Sequence, residues 1–518
     1  MSQTKIDKSN LIEKSDVESV RKEANISQVS VATVTSSGSP VTHGYGDMAV
    51  EIDTIFGAAS LSKPVFTYLI LKLVETGKLT LNMKGLNDIL PFKTFCEQHG
   101  FKWKNDEEIN EEDIIRINAF TPAMILSHKT GFDLNNRTNE VNHQFEPGQE
   151  YYRYSGLPLF YLQKVIEKLH EPQLALMSEN DSFEENKLYV SINPPNLRYT
   201  IFDLTGVGIS GTIDLKDLNC NLQKLTAIQD LNPYLPKILE EVAKRGHTSN
   251  LEVLAKKYVF EPLQMHHSSF GGKPCAANSL ITTAEDYALF VQAWMNDEKL
   301  QYAFKPQISM TKDPWAQEVV PDKENLKYVA ECLGFQLEVD ENGKPLTAFK
   351  TGDMGPWRGW VAIDLNEDIK QRRATVYFAK GPESDGNGHI LAETLMDGYQ
   401  LRHGLYWFKE KYGFATGLEK DWETSQKVRC ARGMEYQDKS PRLPKLEEEV
   451  TESIDSTQKM FQIMPPRTKL TLKTVKSEEQ EANSNKPIQE VEVRKEGEIQ
   501  EERKFNPTPR STFYDPYK

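Results

Sequence analysis

FGAASLSKPVFTYLILKLVETGKLTL, residues 56–81, changes character at Ser60. A lead-in of small residues gives way to a polar start, a proline in the first turn, apolar residues at helical spacing and Gly77 at the end, which predicts a helix over 60–77. PVFTYLILKLV is interrupted by Lys72 and too short to span a bilayer, so it reads as a buried helix. Ser60 then stands at a helix N-terminus with Lys63 one turn on, on the same face. Backbone N–H groups there suit a developing oxyanion, and a lysine desolvated by Ala and Phe neighbours can lose its proton and act as a base. An isolated Ser-x-x-Lys reads as an N-cap serine with a surface lysine. The pattern starts at Ser2, Ser19, Ser60, Ser309 and Ser456, and only Ser60 opens a strongly apolar helix after an extended segment.

Upstream, ISQVSVATVTSSGSPVTHGYGD has the pattern of a β-hairpin. Downstream come LSHKTGF and FEPGQEYYRYSGLPLFYLQKVIEKL, a loop leading into a second apolar helix. Residues 171–248 are less regular and read as an insertion, with a β-rich piece (RYTIFDLTGVGISGTIDL) and a helical one (PYLPKILEEVAKRG). LEVLAKKYVFEPLQM and TTAEDYALFVQAWMND are helical by period. GFQLEVDENGKPLTAFKTG, GWVAIDL and TVYFAKG read as strands around an ENGK turn. Strands, a helix cluster and strands again give an α+β order.

The main domain is expected over 26–412, after a polar leader at 1–25. A linker follows at 413–435, and a mostly disordered, charged tail at 436–518. Solvation is the plain role of that tail; docking a protein partner is the sharper one. The net charge of −14 provides no broad positive field for nucleic acid or anionic lipid. The N-terminus has no apolar h-region, so neither a secretory signal nor an integral membrane segment is expected, and a cytoplasmic location or signal-peptide-independent delivery fits. Cys96, Cys220, Cys275, Cys332 and Cys430 lack CxxC spacing and read as reduced thiols. His266 and His267 are adjacent and would point apart, so neither a metal nor a cofactor is assigned.

Two further motifs accompany Ser60. Tyr154-Ser155-Gly156 follows Pro147-Gly148 and precedes the second apolar helix. A tyrosine between two lysines would have its phenolate favoured and could relay protons, although a lone tyrosine there reads as a core aromatic. Lys-Thr-Gly occurs at Lys129-Thr130-Gly131 and at Lys350-Thr351-Gly352. The first lies too near Tyr154 to form a separate cleft wall. The second ends a strand, where glycine would admit substrate to the sheet edge and the Asp353 N–H would complete an oxyanion hole.

FGAASLSKPVFTYLILKLVETGKLTL, LSHKTGF, FEPGQEYYRYSG, YVFEPLQMHHSSF and KTGDMGPWRGWVAI, in this order, resemble the serine β-lactamase-like and penicillin-binding-protein-like family. That family includes class C β-lactamases, D-alanyl-D-alanine carboxypeptidases and related esterases. The resemblance implies an antiparallel β-sheet flanked by helices plus an all-helical subdomain, with the active site between them. It implies that Ser60 is acylated, Lys63 takes its proton, Tyr154 shuttles protons and Lys350 holds the tyrosine's charge, with Thr351, Gly352, Asp353, Gly156 and Arg358 binding substrate.

Two departures matter. Gly156 replaces an asparagine that contacts substrate amides, and Asp353 stands where Ser or Thr helps to bind a carboxylate, so an anionic substrate would be repelled unless Arg358 neutralises Asp353. The expected function is a serine hydrolase with an esterase or amidase-type activity on a small acyl substrate, rather than an efficient β-lactamase. The alternative is a catalytically weak scaffold that docks partners through the insertion and tail. The insertion reads either as a structural appendage or as a cap over the site that sets specificity, with Tyr199, Phe202 and Trp357 as candidate apolar walls, although such residues more often simply pack.

Overall fold

The computed structural model describes residues 14–417, apart from 104–110, 136–138, 144–149, 172, 177–186, 194–195, 203–207, 217, 219–230, 232, 235–236, 239–240, 242–249, 382–386 and 415. Residues 1–13 of the leader, the Pro147-Gly148 turn, most of PYLPKILEEVAKRG, Cys220, Cys430, the tail and nearly all of the linker lie outside the described residues.

Eight strands form the central sheet: β1 (Gln28–Thr35), β2 (Val41–Gly46), β3 (Ile308–Ser309), β4 (Val329–Glu331), β5 (Gln336–Val339), β6 (Pro345–Met354), β7 (Trp357–Asp364) and β8 (Arg373–Lys380). Their order is β3-β4-β5-β6-β7-β8-β1-β2, and every neighbouring pair is antiparallel. The expected hairpin is β1–β2, with Gln28 opposite Gly46. The ENGK turn joins β5 to β6, where Asp340 O accepts from Gly343 N at 3.0 Å and the glycine takes a φ of 79°.

The helices that matter for the site are α1 (Lys14–Glu23), α2 (Ser62–Glu75), α3 (Pro122–Leu126), α4 (Leu157–Leu169), α5 (Leu251–Ala255), α6 (Ala284–Asn296) and α7 (Arg402–Tyr412). Alternation along the strands sends Val29, Val31, Phe349, Trp360, Ala362, Tyr377 and Ala379 to one face. There they pack with Val17 and Ala24 from the α1 region and with Leu405, Trp407 and Phe408 of α7. The polar leader therefore contributes helix α1 to this core, and the buried Arg21 ties it down by donating to Ile26 O (2.7 Å) and pairing with Asp47 (2.9 Å).

The opposite face carries α6, whose Tyr287 packs edge-on against Phe378 of β8. Helix α2 is buried on nearly all sides, from Ser62 to Leu73, as its apolar sequence requires. The helical region between α2 and α4 also holds a small sheet, with Lys102–Trp103 parallel and Phe132–Asn135 antiparallel to Glu140–His143. The architecture is the expected α+β arrangement, an antiparallel sheet flanked by helices beside a mostly helical region.

Within 171–248, strands Gln173–Leu176, Lys187–Asn193, Asn196–Phe202 and Gly208–Asp214 form a separate four-stranded sheet. Leu188, Val190, Leu197, Tyr199, Ile213, Leu215, Leu218, Leu231 and Ile238 make an apolar cluster of its own. Its ends meet at the main body, where Leu251 N donates to Glu167 Oε1 of α4 at 3.0 Å.

Candidate active site

A tight 3₁₀ turn, Ala59–Leu61, carries Ser60 into α2. Several bonds pin this turn. Ala58 N donates to Leu280 O (2.8 Å), the Ser62 hydroxyl bridges Ala59 O (2.6 Å) and Leu280 N (3.0 Å), and Tyr287 OH donates to Leu61 O (3.0 Å). Ala59 is held at φ 48°, a left-handed conformation costly for a residue with a Cβ. Ser60 itself is half-buried and reachable.

Lys63 is buried, and its Nζ lies 2.9 Å from Ser60 Oγ and 2.7 Å from Ala277 O. Burial pulls its ammonium down to about 8, against opposing pulls from Cys275 and Glu331. At neutral pH about a tenth of such an amine is unprotonated, enough to accept the serine proton.

Tyr154 is half-buried beside Ser60, with both Lys63 Nζ and Lys350 Nζ 4.9 Å from its ring centre. The expectation that two lysines favour its phenolate does not hold. Burial pushes the phenol up, and this outweighs Lys350 and the hydrogen bond with Ser60, so Tyr154 stays protonated at neutral pH. Its ring packs on His128, 4.5 Å away. His128 Nδ1 accepts from Ser155 N (3.3 Å), and burial, then Lys350 and Lys63, keep this imidazole neutral.

Lys350 points to the same place from β6, as the Lys-Thr-Gly reasoning expected, while Lys129 pairs with Glu150 at 2.7 Å in an exposed contact. Lys350 Nζ contacts Glu331 Oε1 at 3.3 Å, both side chains being enclosed. Glu331 went unnoticed in the sequence, because V-A-E at a strand end belongs to no motif. Gly352 meets a packing requirement: a Cβ there would lie 2.5 Å from Ala58 O, so the glycine lets β6 press against the turn that carries Ser60. Thr351 is half-buried opposite Trp360. Gly156 caps the start of α4, its carbonyl accepting from Phe160 N at 3.0 Å.

Arg358 contacts Asp353 at 3.3 Å from the buried side, which leaves the outer face of the aspartate carboxylate exposed and unscreened. Arg358 is buried, and its Nη1 also donates to Gly355 O (2.5 Å) and Trp357 O (2.8 Å), clamping the β6–β7 turn. His389, also missed in the sequence, completes this cluster. Trp360 Nε1 donates to His389 Nδ1 (2.8 Å), which assigns the ring proton to Nε2, 3.1 Å from Asp353 Oδ2.

Two candidate wall residues belong elsewhere. Tyr199 is enclosed in the insertion's own cluster, over Gly211. Trp357 is buried against Phe56 (5.9 Å between ring centres) and Gly57. The side chain of Phe202 lies outside the described residues. Cys96, Cys275 and Cys332 are buried free thiols. Among the described residues no His, Cys, Asp or Glu cluster is arranged for a metal, and no helix is long and apolar enough to cross a membrane.

No protein-family model and no curated protein matches the chain. Among solved structures, it is similar to the octameric penicillin-binding protein homologue from Pyrococcus abyssi (14% identity, TM-score 0.44, covering 77% of this chain and 78% of that one). It is similar also to a putative β-lactamase from Bacteroides dorei DSM 17855 (15%, TM-score 0.44, 72% and 90%). A third is the D-amino acid amidase from Ochrobactrum anthropi SV3 (12%, TM-score 0.39, 71% and 94%). The roles of individual residues rest on the geometry of this chain alone.

Proposed function

We propose that this protein is a serine hydrolase that works through an acyl-enzyme on Ser60, with an esterase or amidase-type preference for small acyl substrates rather than efficient β-lactam turnover. The observation that carries the reading is the 2.9 Å contact between Ser60 Oγ and a buried Lys63 Nζ whose basicity burial has lowered to about 8.

Ser60 Oγ attacks the substrate carbonyl carbon while its proton passes to Lys63. The oxyanion meets the backbone N–H groups of Ser60 and Asp353, two segments that Gly352 brings together. Tyr154, a neutral phenol, donates its proton to the leaving group as the bond to it breaks, and recovers one from Lys63. Water then attacks the Ser60 ester, losing its proton to the Lys63–Tyr154 pair, and Ser60 leaves with a proton restored. The preference against carboxylate-bearing substrates is supported by Asp353, the exposed carboxylate beside this site, whose cation Arg358 is turned inward.

A fluorophosphonate probe with mass mapping of the modified peptide tests the reading. The expected label falls on Ser60, disappears in Ser60→Ala and forms far more slowly in Lys63→Ala. Labelling indifferent to both substitutions would sink it.

A further inference from the structure

Glu331 closes β4 beneath the site, and no solvent reaches its side chain. The carboxylate holds three donors: Lys350 Nζ at 3.3 Å, Tyr152 OH at 3.0 Å and Gln336 Nε2 at 2.6 Å. Burying a carboxylate and an ammonium together is costly, and apolar residues of similar size would fill the space at least as well. Fold stability therefore does not explain the pair, and its location does.

The charged and titratable groups facing Tyr154 are Lys63 from α2, Lys350 and Asp353 from β6, Glu331 from β4, His128 from the turn after α3, Tyr152 from its own segment and Tyr412 from α7. Two are anions. Asp353 is shared between Arg358 and His389, which leaves Glu331 as the carboxylate in contact with Lys350. Without it, an enclosed ammonium would stand by the Tyr154 ring with no counter-charge, and Tyr154 would give up its proton more readily to supply one.

We propose that Glu331 is a positioning residue, whose buried carboxylate anchors the Lys350 ammonium beside Tyr154 and balances its charge, so that Tyr154 meets Ser60 as a neutral proton donor. This rests on the hydrolase reading for its purpose, although the charge balance has a readout of its own. The ionisation of Tyr154 is followed by ultraviolet absorbance titration, subtracting the matched Tyr154→Phe protein in each background.

In Glu331→Gln a proton is expected to leave the Lys350–Tyr154 pair, seen as tyrosinate, at a pH at least about one unit below that of the parent, tenfold in proton concentration. Glu331→Asp, which keeps the charge, should stay within about threefold of the parent. If Glu331→Gln does not fold, Glu331→Gln/Lys350→Met, which removes both charges, is expected to fold and to leave Tyr154 titrating no lower than in the parent. A Glu331→Gln titration that matches the parent overturns the proposal. So does a double variant that unfolds like the single one or ionises Tyr154 earlier than the parent. Loss of probe labelling at Ser60 in the parent would strike the hydrolase reading alone, while labelled Ser60 with an unmoved Tyr154 would strike the role of Glu331 alone.

Discussion

Gly352 and Ala58 are packed so closely that a Cβ on the glycine would lie 2.5 Å from the alanine carbonyl oxygen. The contact fixes how far the Ser60 turn stands from β6, and therefore the gap between the Ser60 and Asp353 N–H groups. Gly352→Ala is expected to destabilise the fold by about 1–3 kcal/mol and to slow probe labelling of Ser60 by about a hundredfold. Thermal melting and labelling kinetics on the same preparation separate the two effects.

The low basicity of Lys63 sets a direction for pH. On the hydrolase reading its useful form is the neutral amine, so Ser60 labelling should climb as pH rises towards about 8 and level off above it. Lys63→Arg, which keeps its proton throughout, should lose this rise and react at least about a hundredfold more slowly. Labelling rates across pH, with the unfolded fraction checked at each point, decide the matter.

The placement of Ser60, Lys63, Tyr154 and Lys350 side by side is legible in the sequence, and what is not legible has physical reasons. Ser60 and Lys350 were separated from their duplicates by the helix and strand around them, and both stand where that reasoning put them. Glu331 and His389 belong to no local motif, and Lys350 and Asp353 reach them, from 19 and 36 residues away, only through strand pairing and a helical turn. Charge and proximity in the chain suffice to pair Arg358 with Asp353, but no local pattern shows that the guanidinium folds inward on its own turn. The Tyr154 phenolate was a plausible inference from charge alone; burial, which no spacing reveals, outweighs it.

Asp353 is expected to act on selectivity. Asp353→Ser should raise kcat/KM for esters carrying a carboxylate near the scissile bond, relative to neutral esters, by about tenfold or more, because it removes a repulsion and releases one of the contacts of Arg358. A paired comparison of the two ester classes measures this ratio; an unchanged ratio would remove Asp353 from substrate recognition.

Lys411 and Asp313 form a second buried pair. The ammonium sits among Tyr152, Trp315, Trp407 and Tyr412, each ring centre 5.0–5.2 Å away. Asp313 also accepts from Trp315 N and Ala316 N. Asp313→Ala should cost about 3–5 kcal/mol in urea unfolding, because it strands a buried cation and uncaps a helix.

The insertion has its own apolar cluster, and its two ends meet at Glu167 and Leu251. Replacing residues 173–249 by a short glycine-serine linker should change substrate preference more than the melting temperature. The reverse outcome would mark the insertion as a structural appendage.

Ala59, held at φ 48° immediately before Ser60, ties the orientation of that serine to one strained torsion. Robustness and reactivity are coupled through a single backbone torsion: the twist that aims the hydroxyl is one that alanine resists, and glycine would adopt it without resistance. On the hydrolase reading, an exchange that relaxes this torsion would spoil the aim of Ser60, whereas Ala59→Gly would relieve the strain and keep it.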